Sequence, residues 1–240
     1  PHQIPFLLAS GFTFLALIMT LNLRAPTADR IIPERNAIFN LGAMRALIRS
    51  PLAIYAFATL LLNLSFAQVE ASFVLVLRDY LGFGVRQTGW LFAYIGVCIV
   101  LVQAGLIRSA VSKFGEVGTA GLGVVLLMSG QFLTVLAVMG FLPGNAYPLV
   151  QTLIASTGIC FGFAFASPAI SSAVSKLAGK SAMGGSLGTI QGFGSLGQVI
   201  GLVIAGPLYD LGGSQFPFGA GTLITLVLVL VIPFLARPNR

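Results

Sequence analysis

Six stretches of this 240-residue chain contain no Asp, Glu, Lys or Arg: 1–23, 50–69, 87–107, 117–175, 181–209 and 211–236. Roughly 20 apolar residues span hydrocarbon as a helix, and backbone polar groups in lipid must be satisfied within helices or closed barrels. Runs of this length predict an all-α membrane protein. Charged residues make up 8% of the chain and hydrophobic residues 57%, whereas a soluble domain carries about 25% charge. A water-soluble fold is thereby excluded.

The runs and their punctuation predict seven transmembrane helices, at 4–23, 51–77, 88–107, 117–141, 147–169, 182–207 and 215–235. The run from Val117 to Ser175 must hold two of them, because Pro143, Gly144, Asn145 and Pro148 concentrate turn chemistry where a helix needs unbroken hydrogen bonding. Basic residues set the orientation. Arg24, Arg30, Arg35, Arg45, Arg49, Arg108, Lys113, Lys176, Lys180, Arg237 and Arg240 fall on one side, and only Arg78 and Arg86 on the other. This bias predicts that residues 24–50 and the C-terminus are cytoplasmic and that Pro1 lies outside. It also accounts for the net charge of +7 without a nucleic-acid partner; the expected partner is the lipid bilayer.

Residues 24–50 form the longest connection. Ile38, Leu41, Leu47 and Ile48 line one side of its second half, with Arg45 and Arg49 a turn apart, which suits a short amphipathic helix on the inner surface; a plain linker with topogenic arginines fits equally. The organisation read from this is one helix (1–23), a cytoplasmic connection (24–50) and a six-helix set (51–240). Cys98 and Cys160 each lie inside an uncharged run, as membrane thiols rather than a disulfide framework. The first apolar stretch lacks a basic leader region, and a chain that starts at Pro1 rather than Met reads as a fragment.

An ionisable group inside a span is costly and is a functional candidate by default. Only Glu70 qualifies. At 100° per residue, Thr59, Asn63 and Glu70 share a face to within about 40°, while Ser65, Gln68 and Ser72 form a second stripe opposite. One stripe is expected to face a water-filled cavity and the other a neighbouring helix. Glu70 stands 19 residues past Pro51, which places it about 28 Å along the helix, near the outer boundary. Proton or cation coupling and a structural hydrogen bond or ion pair both fit it.

The sixth helix carries two further stripes. Gln191, Ser195 and Gln198 share one face, read as cavity lining; Gly194, Gly197 and Gly201 share another, read as close helix packing, since small residues let backbones approach in lipid. Gly206 and Pro207 are expected to end or kink this helix. The fifth helix repeats the packing device with Gln151, Ala155, Gly158, Gly162 and Ala166. From Leu223 to Leu235 the last helix offers only Thr225 as a polar side chain, and it is expected to face lipid. Phe66, Phe73, Phe92, Phe161, Phe163 and other aromatic residues could line a hydrophobic substrate site, and most are read as packing or interfacial anchors. No nucleotide-binding loop, metal-ligand cluster or nucleophile–base set is present, so neither an enzyme nor a cofactor is expected.

The segments FAQVEASFVLVLRDYLGF (66–83), TGWLFAYIGV with QAGLIRSAVSKFG (88–115), SPAISSAVS (167–175) and GGSLGTIQGFGSLGQ (184–198) resemble the C-terminal half of a major facilitator superfamily transporter, from its sixth helix through its twelfth. Within that superfamily they resemble the tetracycline-resistance-like drug:proton antiporters. The resemblance implies a secondary transporter of the bacterial inner membrane, whose two six-helix bundles rock about a midplane site. It implies proton-coupled efflux of a small hydrophobic or cationic compound, with the N-terminal bundle as the missing partner. Arg108, Lys113 and Gly115 match the second copy of the superfamily's loop motif, a cytoplasmic gate element, though its acidic member is absent. A metabolite uptake permease would use the same helices. A seven-helix receptor or a channel component is the competing class, against which stand the missing Lys in the last helix and the missing Asp-Arg-Tyr.

Overall fold

The computed structural model describes residues 4–22, 50, 52–141 and 148–236. The 24–50 connection, the turn around Gly144 and the arginines at 24, 30, 35, 45, 49, 237 and 240 lie outside the described residues. Among those described, all regular structure is helical, as expected of an all-α membrane protein.

Helix α1, Ile4–Asn22, belongs to one compact unit and the remaining helices to another. Its few polar side chains are satisfied locally: the Ser10 and Thr20 hydroxyls and the Asn22 amide donate to the carbonyls of Leu7, Ala16 and Ile18.

The second unit begins with α2, Ala53–Leu81. It ends at Gly82 (φ 63°), where the N–H groups of Gly82 and Phe83 bond back to the carbonyls of Arg78 and Leu77, the left-handed cap that glycine allows. Helix α3 starts at Val85, passes through a π-helical turn at Val102–Leu106 and continues to residue 114. Gly115 (φ 69°, ψ 177°) then breaks the helix, and α4 follows over 116–138. Helix α5, Pro148–Gly179, ends at another positive-φ glycine, Gly179 (φ 66°, ψ 168°). Helices α6, Met183–Gly212, and α7, Gln215–Leu235, complete the set. Both breaks follow the same pentapeptide, Ser-Ala-Val-Ser-Lys, at 109–113 and 172–176.

Four helices run past their expected ends: α2 reaches Leu81 rather than 77, α5 passes through Pro168 to Gly179 rather than 169, and α3 and α6 are extended as well. Helix α3 runs past 107, because no breaker occurs before Gly115. Helix α6 passes through Pro207 to Gly212; Pro207 is exposed, so the one lost hydrogen bond falls on an outer face where it disturbs no packing. Among the described residues, five continuous stretches are long and apolar enough to cross a membrane, and one of these, Val85–Val138, is the pair α3–α4.

Contacts fix the direction of each helix. Along α2 and α6, Leu60 meets Gly197, Leu64 meets Gly201 and Asp79 meets Tyr209, so these two are parallel. Ser65 with Thr225 and Tyr55 with Leu235 make α7 antiparallel to α2. Gly123 against Ala166 and Gly130 against Ala155 make α5 antiparallel to α4. The chain thus alternates through the bundle, collecting Gly115 and Gly179 at one end and Gly82 and Gly213 at the other.

Glycine sets the spacing of the two main crossings. A Cβ on Gly197 would lie 2.3 Å from the Leu60 carbonyl oxygen, and one on Gly201 would lie 2.6 Å from the Ala67 Cβ. Where α4 meets α5, a Cβ on Gly162 would lie 2.3 Å from the Leu127 nitrogen, while Gly158 opposes the Gly130 Cα at 3.2 Å. Gly194 touches Thr59 and Asn63. Gly162→Ala is therefore expected to lower thermal stability in detergent by about 1–3 kcal/mol, the usual cost of overpacking. Gly206→Ala, with nothing within 4 Å, serves as the control and is expected to be neutral or mildly stabilising. Equal melting of the two variants would contradict the close-contact account.

Candidate functional site

Helix α2 divides its polar residues between two environments. Ser65, Gln68 and Ser72 are buried. The Ser65 hydroxyl lies 2.6 Å from that of Thr225 on α7, and Gln131 of α4 donates to Ser65 Oγ at 3.0 Å and accepts from Thr225 Oγ1 at 3.0 Å. These three side chains satisfy one another and tie three helices at one point. Helix α7 accordingly faces the bundle along Thr225 and Leu228, and is exposed along Leu223, Leu226, Leu230 and Phe234. Gln68 donates to the Gly201 carbonyl at 2.9 Å, which binds α6 at the place where the glycines let it approach.

The opposite stripe separates into two parts. Thr59 is buried beneath Gly194, its hydroxyl bonded to the Tyr55 carbonyl, and Asn63 donates to the Thr59 carbonyl. Thr59 therefore meets the neighbouring helix, where Gly194 brings the α6 backbone down onto it, and half-buried Asn63 lies at the edge of that contact. Glu70 is different. It is exposed, and its Oε2 accepts a 2.9 Å hydrogen bond from Gln198 Nε2 of α6. Two residues from separate stripes thus meet across two helices. Gln191 and Ser195 continue the exposed face of α6 that leads to Gln198.

Glu70 also borders a cavity of about 90 Å³ between α2, α3 and α5. Phe66, Phe73, Phe92 and Ile95 make its walls apolar; Ser156 and Cys160 supply the other heteroatoms. Phe73 and Phe92 meet edge to face with ring centroids 6.1 Å apart, a favourable aromatic geometry. Measured along the helix at about 1.5 Å per residue, Glu70 stands roughly 25 Å from Ala53 and roughly 16 Å from Leu81. It is nearer the middle of α2 than the boundary position expected from 51–77, since α2 extends four residues further.

The loop residues behave individually. Arg108 and Lys113 are exposed near the α3–α4 break, with Lys113 Nζ 5.3 Å from the centroid of Phe114, and Gly115 makes the break itself. Glu116, one residue on, pairs with Lys176 of α5. An acid is therefore present at this turn, displaced past the glycine, and Lys176 has a specific partner. At the other end Tyr209 donates to Asp79, which also pairs with Arg78 at 2.8 Å, and Tyr80 donates to Gln151 at 3.1 Å. Gln131, Asp79 and Glu116 escaped the stripe-by-stripe reading; a glutamine deep in an uncharged run is the signal that would have found the first. Among the described residues no group of His, Cys, Asp or Glu could hold a metal ion.

The exposure of Glu70 is accessible to labelling. In a background with Cys98 and Cys160 replaced, Glu70→Cys is expected to react with a water-soluble maleimide at least about tenfold faster than Gln68→Cys, since thiol reactivity requires access and Gln68 is 1% exposed. Equal rates would place Glu70 away from water.

No known family model matches the chain. It is 26% identical over 232 residues to multidrug resistance protein 1 of Bacillus subtilis (strain 168), a stretch that covers 96% of this chain and 56% of that protein. The chain thus spans about half the length of this relative. The similarity runs through the whole described bundle and includes the helices that carry Glu70 and Gln198.

Proposed function

We propose that α2–α7 are the C-terminal bundle, and α1 the preceding helix, of a major facilitator superfamily exporter that exchanges protons for small hydrophobic or cationic compounds. The observation that carries this reading is Glu70, the carboxylate placed within a span, set in an aromatic cavity and held by Gln198 from a second helix. The similarity to a multidrug resistance protein supports it independently. The tetracycline-resistance-like antiporters are the branch it resembles.

The chemistry is competitive. An ionised Glu70 between phenyl rings attracts a lipophilic cation by charge and by contact. A protonated Glu70 attracts it far less. Glutamine suits this alternation, because its amide is donor and acceptor at once. Gln198 donates to the carboxylate, and on rotating its amide can accept from the carboxylic acid, so the site keeps a partner in both states. In the wider mechanism two bundles rock about the site and open it to each side in turn. On the positive-inside rule the Gly115–Gly179 end, with Arg108, Lys113 and Lys176, is cytoplasmic, and the membrane is the bacterial inner membrane. There the Gly115 turn and the Glu116–Lys176 pair form the element that holds the inner gate.

Glu70→Gln tests this reading. The variant is expected to reach the membrane and remain folded, but to lose at least about tenfold of its proton-driven export in proteoliposomes, as removal of a coupling carboxylate requires. Undiminished flux driven by a pH gradient would remove Glu70 from coupling.

A further inference from the structure

The Glu70 cavity holds about 90 Å³, whereas sites for drug-sized molecules run from about 300 to 1,000 Å³. A compound of the proposed class does not fit until a wall moves. Three helices supply the walls: Phe66 and Phe73 stand on α2, Phe92 and Ile95 on α3, and Ile159 and Cys160 on α5.

Two of these walls are fixed by backbone contact. Helix α2 buries fourteen residues and is pressed onto α6 at Gly197 and Gly201, and α5 is pressed onto α4 at Gly158 and Gly162. Helix α3 is held differently. Over Val85–Leu101 only Leu91 and Cys98 are buried, and Trp90, Val97, Val100 and Leu101 are between 55% and 71% exposed. A Cβ on Gly89 or Gly96 would meet nothing within 4 Å, so this segment has none of the close approach that locks the other crossings. Sparse buried contact is what makes an element open at low cost.

Both ends of the segment carry a hinge. At the inner end Val102–Leu106 is a π-helical turn, with the Ile107 N–H bonded to the Val102 carbonyl, and helices bend at such turns. Val102, the first residue of the turn, and Ala110 beyond it are buried in one cluster with Ala164 and Phe165 of α5, which anchors α3 on the inner side. At the outer end Gly82 (φ 63°) caps α2 and Gly84 precedes α3. Between the hinges lies a hydrogen bond to α5. The Thr157 hydroxyl donates to the Leu153 carbonyl, so in its 2.6 Å contact with Tyr94 Oη the tyrosine is the donor. Phe92 adds an edge-to-face contact with Phe73, which parts without baring a polar group.

We propose that Val85–Leu101 is a hinged wall of the Glu70 cavity, which swings away from α5 about the π-helical turn and the Gly82–Gly84 link and is latched by the Tyr94–Thr157 hydrogen bond. That the enlarged cavity admits a transported compound rests on the export reading. The hinge and its latch do not.

Cys160, 7% exposed, lies on the α5 wall that α3 closes and reports the motion. Its alkylation by N-ethylmaleimide is followed in the full-length protein in nanodiscs, with Cys98→Ser to leave one native thiol among the two. Tyr94→Phe and Thr157→Val are each expected to raise the rate about fivefold, the order of an opening equilibrium held by one hydrogen bond. The double variant is expected to react no faster than either single one, because both remove the same bond. Thr134→Cys, in a protein with both native cysteines replaced by Ser, is the control: Thr134 is 6% exposed and borders a separate small cavity between α2, α4 and α5. Its rate is expected not to respond to Tyr94→Phe. An unreactive Cys160, a rise in neither or only one of the single variants, additive effects in the double one, or an equal rise at the control thiol would overturn the hinged wall. The two readings fail separately. Export that depends on Glu70 while Cys160 does not respond would leave the export reading standing without the hinge; a Cys160 response in a protein that exports nothing would leave the hinge standing without export.

Discussion

In hydrocarbon two helices gain nothing from hiding apolar surface from one another, so the crossings in which α6 lies on α2 and α5 lies on α4 depend on direct backbone approach. Gly197, Gly201, Gly123, Gly130 and Gly162 bring foreign backbone or Cβ atoms closer than any side chain would permit. That approach fixes the remaining geometry. It sets the Gly201 carbonyl within reach of Gln68 and brings Gln198 to Glu70. It also covers Thr59, which a wider crossing would leave open.

Polar side chains then specify where the packed helices stop. A hydrogen bond between spans contributes on the order of 1 kcal/mol, too little to assemble the bundle, but a buried polar group without a partner is costly, so the bond selects one register from several. Ser65, Gln131 and Thr225 do this at the junction of α2, α4 and α7. Thr225 thus gives α7, apolar over most of its length, a polar reason to present that side inward. The same logic separates Gln68 from Glu70: two residues apart on α2, one is sealed against α6 and the other faces the open side.

Much of this was legible in the sequence because hydrocarbon imposes coarse rules. Span length, the sparing use of charge and the small-residue stripes at 158–162 and 194–201 are written directly in the residue pattern. What was not legible is which stripe meets which neighbour. Thr59, Asn63 and Glu70 share a helical face, yet α6 meets the first two at Gly194 and the third only through the Gln198 side chain, a difference made by the crossing and not by periodicity. Pro207 failed as a breaker because a proline on an exposed face forfeits a single hydrogen bond. Glu116 was hidden because its meaning depends on Lys176, 60 residues away.

The ties are distributed over both ends of the bundle. Tyr55 to the Leu235 carbonyl and Glu116 to Lys176 fasten the Gly115–Gly179 end; Asp79 to Tyr209 and Tyr80 to Gln151 fasten the other. Between them lie glycine contacts with no slack to shear. A unit closed at both ends and dense in the middle resists opening through its own core, so any large motion must occur against what it does not itself cover. One uncovered flank is that of α3 and α6, where Trp90, Val97, Val100, Leu196, Val199 and Val203 are exposed. Glu70 and Gln191 lie on exposed faces as well. Glu70 and this apolar flank therefore lie on faces that the six helices do not themselves cover.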